Sequence, residues 1–281
     1  MTSIRQEIRR ITQHGQGPFS CEVEVERVWP ISRGFRRVAV HGSGLAQYRD
    51  IWPADAFKLM LPGAEQPEQP LPRAYTVRSF DPERNRIEFD VAEHHGGPGM
   101  AWLERTGPGE VVGLAGMRHE FTSAAPVDRH LIVGDASALP AVAAIVEALP
   151  PDVPALVCLS TAEESDKALL PEREHTSVHW LTGQPRQALV ELVRSVAAPQ
   201  GRTQAWLAAE AAVVRELRRF TLDECAVDRQ DMQARAYWKA GVDSTAIDAD
   251  SIVRYQKAMA DGLDITDPDV VDRMEFETAG G

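Results

Sequence analysis

His130-Leu-Ile-Val-Gly-Asp-Ala-Ser-Ala-Leu-Pro-Ala141 is a short apolar run that stops at Gly134 and passes through small residues into the helical spacing of Leu139 to Leu149. A strand that breaks at glycine and restarts as a helix is the repeating unit of a doubly wound sheet, and ligands bind beyond the carboxyl end of such a strand. The pattern recurs downstream. Ala155-Leu-Val-Cys-Leu159, Val178-His-Trp-Leu181 and Thr203-Gln-Ala-Trp-Leu207 read as buried strands. Between and after them, Gln187 to Val196, with Leu189, Leu192, Val193 and Val196 on one side, and Ala211 to Phe220 read as helices. Strands alternating with helices imply a parallel α/β sheet. The turn is not the GxGxxG fingerprint, so it marks where a ligand would sit without naming it.

Upstream of Pro126 the period changes. Cys21-Glu-Val-Glu-Val-Glu26 alternates apolar and acidic residues, as a half-buried strand does. Arg37–His41, Ala56–Leu61, Ala74–Arg78, Arg86–Val91 and Glu110–Leu114 read as further strands, which suggests a small antiparallel six-stranded β-barrel. Four prolines between Pro62 and Pro72 mark a loop. The boundary falls between Thr122 and Asp128. This gives a barrel domain over residues 1–125, an α/β domain over 126–241 and an acidic, partly helical extension over 242–281, with the helix at Asp250 to Met259.

Composition agrees with two ordinary domains: 281 residues, 43% apolar and 26% charged. Cys21, Cys158 and Cys225 are too few and too scattered for a disulfide framework or a zinc ligand set, and they favour a reducing compartment. No apolar run approaches the ~20 residues of a membrane span, and no secretory signal is visible. The net charge of −12 argues against nucleic-acid binding. From Val242 onward ten acidic residues face three basic ones, so the extension holds more than half of that charge. Arginines crowd the N-terminal stretch, from Arg5, Arg9 and Arg10 to Arg33, Arg36 and Arg37, which leaves room for a local anion site. The expectation is a cytoplasmic monomer without stable membrane association.

Three segments carry residues suited to chemistry. In Arg73-Ala-Tyr-Thr-Val-Arg78, Tyr75 offers a flat ring, Thr76 a hydroxyl, and Arg78 a fork for phosphate or carbonyl oxygens. An amphipathic strand with exposed arginines satisfies the same pattern. In Glu93-His-His-Gly-Gly-Pro-Gly-Met-Ala-Trp102, Gly96, Gly97 and Gly99 permit close backbone approach, and a helix opening there suits a pyrophosphate. His94 and His95 lack a third ligand nearby, so no metal site is expected. The third segment is the Gly134-Asp135-Ala-Ser137 turn.

Taken together and in order, these segments resemble the siderophore-interacting protein family of ferric-siderophore reductases, within the ferredoxin-NADP reductase superfamily. Trp206-Leu-Ala-Ala-Glu210, Val214-Arg-Glu-Leu-Arg-Arg219 and Tyr237-Trp-Lys-Ala-Gly241 continue the resemblance, which runs from about Phe19 to Gly241. The chain departs from the family's His-Gly-Asp at Glu93-His94-His95, and from its Ala-Gly-Glu at Ala208-Ala209-Glu210.

The resemblance implies reduction of Fe(III) in a siderophore by electrons from NADH or NADPH passed through FAD, with release of Fe(II). It implies that Arg73, Tyr75, Thr76 and Arg78 bind the flavin. Gly97, Gly99, Met100 and Ala101, beside His94 and His95, would meet its pyrophosphate. Gly134, Asp135, Ser137 and Glu210 would line the nicotinamide site, and Tyr237 or Trp238 would stack on a cofactor ring or fill a core. Lys239 would face the anionic ferric siderophore. No residue of the chain is expected to act as a catalytic acid or base. The acidic Thr161-Ala-Glu-Glu-Ser-Asp166 after the second α/β strand favours NADH. The extension's helix would gate the flavin or lie free. A reductase of the same fold with another acceptor, and a siderophore-binding protein without catalysis, are the alternatives.

Overall fold

The computed structural model describes residues 19–63, 70–124, 126–196, 201–242, 244–265, 267, 270 and 274. In the N-terminal half, alternating strands curl into one antiparallel sheet: β1 (Ser20–Pro30), β2 (Phe35–His41), β3 (Ala56–Leu61), β4 (Leu71–Thr76), β5 (Ser79–Asp81), β6 (Arg86–Ala92) and β7 (Val111–Arg118). Their order is β4-β3-β7-β1-β2-β6-β5. Every second side chain turns inward, so Val23, Val25, Val38, Val40, Phe57, Leu59, Ile87 and Phe89 share one core. The short helix α1 (Pro98–Arg105) packs Met100, Trp102 and Leu103 into that core.

Two expectations are corrected here. Among the described residues the sheet has seven strands rather than six, and it is an open half-barrel, because no ladder joins its outer strands β4 and β5. The seventh strand, β5, has three residues, too few to show an alternation. The strand expected over Ala74–Arg78 ends at Thr76, since there the chain changes partner. Val77 N–H donates to Asp55 O (2.7 Å) beside β3, and Arg78 N–H donates to Glu88 O (2.8 Å) on β6. The open side of the curl is thus bridged by the chain's own corner at Val77-Arg78. Side chains fill the remaining gap, with the rings of Tyr75 and Phe89 4.9 Å apart.

The second half is a five-stranded parallel sheet: β8 (Arg129–Gly134), β9 (Ala155–Thr161), β10 (Thr176–Thr182), β11 (Thr203–Glu210) and β12 (Met232–Trp238), in the order β10-β9-β8-β11-β12. Helices α2 (Leu139–Ala148), α3 (Gln187–Ser195) and α4 (Ala211–Asp223) cover its faces. Interior strand β11 is buried throughout. Its Ala205, Leu207 and Ala209 pack with α3 and α4, whereas Trp206 and Ala208 pack with α2. Four of these strands match the expected apolar runs. The fifth, β12, is an edge strand whose Met-Gln-Ala-Arg-Ala run carries too little apolar character to stand out in the sequence. The strand order reverses between β8 and β11, which places a topological switch point at Gly134 and Glu210.

The two sheets share an apolar seam, in which Phe35, Ala54 and Phe121 join the α2 core. Polar contacts fix its register. Trp206 Nε1 donates to Glu120 O (3.0 Å), and Gln204 Nε2 to Thr122 O (2.7 Å). The Ser32 hydroxyl donates to Asp166 (2.6 Å), and a Cβ on Gly34 would fall 2.6 Å from that carboxylate. Although burial opposes it, Arg118 and Arg235 hold the Glu120 carboxyl below its ordinary range.

Beyond Val242, α5 (Ser244–Ala260) returns alongside β4, and the expected helix at Asp250 to Met259 lies within it. Ala258, Ile265, Val270 and Met274 form a small apolar cluster there, so the extension is not wholly the solvated tail its charge suggests. Arg5, Arg9, Arg10, Pro268 and Asp269 lie outside the described residues. Among the described residues, no helix is long and apolar enough to cross a membrane.

Candidate functional site

The corner of the half-barrel divides the Arg73–Arg78 motif between two surroundings. The Tyr75 ring packs on Phe57 and Phe89, and burial pushes its phenol up to about 12. Its hydroxyl faces the glycine loop, 3.3 Å from where a Cβ on Gly99 would lie. Thr76, buried, faces the other domain, where Tyr237 lies against it. Burial and the charge of Glu120 push the Tyr237 phenol well above its usual range. Arg78 also turns to the other domain, and Nη1 and Nη2 donate to both oxygens of Glu147 (2.7 and 2.6 Å). Arg73 Nη1 donates to Pro72 O (2.9 Å).

The glycine loop leads directly into α1. Gly96 (φ 77°) and Gly97 (φ 91°) hold backbone angles that side chains disfavour. No side chain caps the helix. Ala101 N–H donates to Gly97 O (3.0 Å), so it is taken by the first helical hydrogen bond. Gly99 and Met100 precede that bond, and their N–H groups have no intrahelical partner. The Met100 side chain lies in the core, where its sulfur accepts from His94 N–H (3.4 Å). His94 and His95 are exposed, and among the described residues no group of three side chains is arranged to hold a metal.

At the switch point, the geometry is tight. Asp135 accepts from Ser137 N–H (2.9 Å) and the Ser137 hydroxyl (2.5 Å) on one oxygen. On the other it accepts from Glu210 N–H (3.0 Å) and Trp238 Nε1 (2.7 Å). Burial raises its pKa despite these four donors. A Cβ on Gly134 would lie 3.0 Å from Ala138 Cβ and 3.2 Å from Val142 Cγ2, so the turn admits no side chain there without a shift. Glu210 caps α4 through Ala212 N–H (2.8 Å) and Val213 N–H (3.3 Å), and its other oxygen accepts from Ala240 N–H (3.2 Å). The Trp238 indole, half-exposed, reaches from β12 over the end of β11 to Asp135, with the Arg186 guanidinium 5.4 Å from its ring centroid. Lys239 is exposed on the turn that follows, where Val242 N–H donates to Lys239 O (3.1 Å).

The structure therefore brings Tyr75 together with Gly99, Thr76 with Tyr237, and Asp135 with Ser137, Glu210 and Trp238. A flavin-domain description, "Siderophore-interacting FAD-binding domain", matches residues 64–121, and "Siderophore-interacting protein" matches residues 127–241. The chain belongs to the siderophore-interacting protein family.

Relatives agree with that placement. The chain is similar to the ferric vibriobactin reductase ViuB of Vibrio cholerae, 29% identical over 255 residues, spanning 79% of this chain and 94% of the relative. It is similar to the ferric acinetobactin reductase of Acinetobacter baumannii, 28% identical, spanning 79% of this chain and 80% of that one. Among solved structures, the siderophore-interacting protein of Acinetobacter baumannii superposes with a TM-score of 0.78 at 25% identity, covering 87% of this chain and all of that one. A ferredoxin–NADP reductase from Neisseria gonorrhoeae with bound FAD and NADP shares the fold, with a TM-score of 0.55 at 13% identity.

The residues present fit the flavin dinucleotide that the family implies. Two left-handed glycines, an uncapped helix start whose first N–H groups have no intrahelical partner and the Tyr75 hydroxyl beside Gly99 form a backbone cradle that side chains would fill. Glu147, Arg186 and Glu120 escaped the sequence reading. For Glu147 a signal existed, because it is the single charged residue in Leu-Pro-Ala-Val-Ala-Ala-Ile-Val-Glu-Ala, the sequence of α2.

Proposed function

We propose that this chain is an FAD-dependent ferric-siderophore reductase that takes its electrons from a nicotinamide dinucleotide. The observation that carries this reading is the shared seam: Thr76 and Arg78, from the flavin motif, touch Tyr237 and Glu147 of the α/β domain. Residues 1–125 seat the flavin and 126–241 seat the nicotinamide, while α5, within the 242–281 extension, borders β4. When bound, FAD supplies the conversion between a two-electron hydride and the single electrons that iron accepts.

Each side chain then has a defined task. The Tyr75 ring and Thr76 hydroxyl orient the flavin, with Arg73 and Arg78 meeting its oxygens. Gly97 shapes the cradle beside His94 and His95, and the N–H groups of Gly99 and Met100 meet the pyrophosphate. Ala101 supports that cradle through its bond to Gly97 O, which revises the expectation that its N–H meets phosphate. Asp135, Ser137 and Glu210 hold the switch-point backbone in shape around Gly134, where the nicotinamide half enters. Trp238 borders that entrance, and Tyr237 lies behind Thr76. Lys239 offers a cation to the anionic ferric siderophore. Hard oxygen ligands hold Fe(III) better than Fe(II), so reduction loosens the metal.

NADH is the preferred donor in this reading. Glu164 is engaged by Lys167 (2.6 Å) and by the Thr182 hydroxyl (2.9 Å), which leaves Glu163 to discriminate against a 2′-phosphate. Glu163→Arg is expected to shift the NADPH-to-NADH ratio of kcat/KM about tenfold toward NADPH, the worth of one exposed charge contact. Equal ratios in the variant and the natural protein would remove Glu163 from this role. The acidic chain acts as a cytoplasmic monomer, without nucleic-acid or membrane partners.

The deciding assay supplies NADH anaerobically with a panel of acceptors and a ferrous-iron chelator. Ferrous complex formed from ferric siderophores, at rates above those with free flavin or a protein acceptor, supports the reading. Turnover with the other acceptors alone would overturn it in favour of a different reductase on this fold.

A further inference from the structure

Arg78 is held from outside its own domain. Its guanidinium is mostly enclosed at the seam, with the side chain 15% exposed, and both Nη groups donate to Glu147 in a fork-to-fork pair. Arg37, a second cation in electrostatic range of Glu147, is already paired with Asp90 at 2.6 and 2.9 Å. The two bonds use one N–H on each Nη. Three of the five guanidinium N–H groups remain, in a plane the fork has fixed. The helix that carries Glu147 begins immediately after the Asp135–Ser137 turn and ends on the flavin motif, a span of about 15 Å for its ten residues. One helix therefore borders both half-sites.

We infer that Glu147 is a positioning residue of the flavin site: it reaches across the domain seam and orients Arg78 for an anionic or carbonyl oxygen of the bound dinucleotide. The inference rests on the FAD reading above. A guanidinium already immobilised loses less conformational freedom when a ligand binds, so the fork strengthens binding without itself touching the flavin. The opposite arrangement, in which Glu147 merely competes with the ligand for Arg78, makes the reverse prediction.

The test is titration of FAD into the apoprotein, followed by quenching of flavin fluorescence, for five proteins: natural, Glu147→Gln, Glu147→Ala, Arg78→Ala and the double alanine variant. Glu147→Ala is expected to weaken FAD about fivefold to tenfold, and Glu147→Gln about half as much, because the amide keeps one acceptor. Arg78→Ala is expected to weaken it at least about tenfold, and adding Glu147→Ala to that variant should change Kd by less than about twofold. That loss of effect is the signature of action through Arg78. Thermal melting of each apoprotein checks folding, and Glu147→Gln, nearly identical in shape, carries the test if the alanine variants are unstable. Unchanged or tighter binding on loss of Glu147, or a full penalty persisting without Arg78, overturns the inference. A natural protein that takes up no FAD overturns the functional reading itself, and this assignment with it.

Discussion

The two half-sites are built in opposite ways. At the switch point of the α/β domain, proposed to seat the nicotinamide, the carboxylates are saturated: Asp135 accepts four hydrogen bonds and Glu210 three, all from the protein itself. In the half-barrel, the glycine loop leaves first-turn N–H groups without an intrahelical partner, and the Tyr75 hydroxyl lies beside Gly99. One half spends its polar groups on holding a shape, and the other keeps them for a ligand. Substitutions should therefore cost stability in the first half and cofactor affinity in the second.

Asp135→Ala should have the largest effect on stability. It strands the N–H groups of Glu210 and Ser137 and the indole N–H of Trp238 without their acceptor. The expected loss is about 3 kcal/mol, or a melting midpoint roughly 6–12 °C lower. A melt within about 2 °C of the natural protein would show that the saturated carboxylate is dispensable.

His130 on β8 should set the acid limit of the same half. Burial, reinforced by Arg173, lowers its pKa to about 4. The unfolded chain takes up a proton near pH 6.5 that the folded chain refuses until about pH 4, so stability is full above that window and falls as the pH drops through it. The loss approaches roughly 3 kcal/mol at the acid end. His130→Val should flatten this limb in denaturant titrations read by tryptophan fluorescence. An unchanged slope would place the acid sensitivity elsewhere.

Gly99→Ala addresses the flavin half. Its new methyl would stand 3.3 Å from the Tyr75 hydroxyl, inside the proposed cradle. Melting of the apoprotein should move by less than about 2 °C, while FAD binding weakens about tenfold, near 1.4 kcal/mol. Equal FAD affinity would remove Gly99 from the binding surface. The smallest effect concerns α5, which borders β4. Truncation after Val242 should change turnover or flavin retention by about twofold, the scale of a partial gate. No change in either would separate the extension from catalysis.

Much of this architecture is legible in the sequence because burial imposes a period. The alternation of Cys21–Glu26 and the apolar run of His130–Val133 each foretell a strand from one residue to the next. β5 escaped because three residues carry no period, and β12 because an edge strand buries less. The site was legible where backbone conformation demands particular residues, as at Gly96 and Gly97. It was less legible where a side chain's duty depends on distant partners. Glu210 reads as a pocket carboxylate but caps α4, and the cap becomes visible only once β11 is known to end there. Arg78 reads as a flavin ligand, whereas its partner Glu147 lies 69 residues away and is met only through the fold.

The most direct test of the central claim is the absorption spectrum of the purified, FAD-loaded protein, taken anaerobically before and after adding NADH and then a ferric siderophore. The proposed reductase should show flavin bands that bleach with the nicotinamide and return as ferrous iron appears. Bands that stay unbleached with both NADH and NADPH, or a protein that retains no flavin after incubation with FAD, would contradict it.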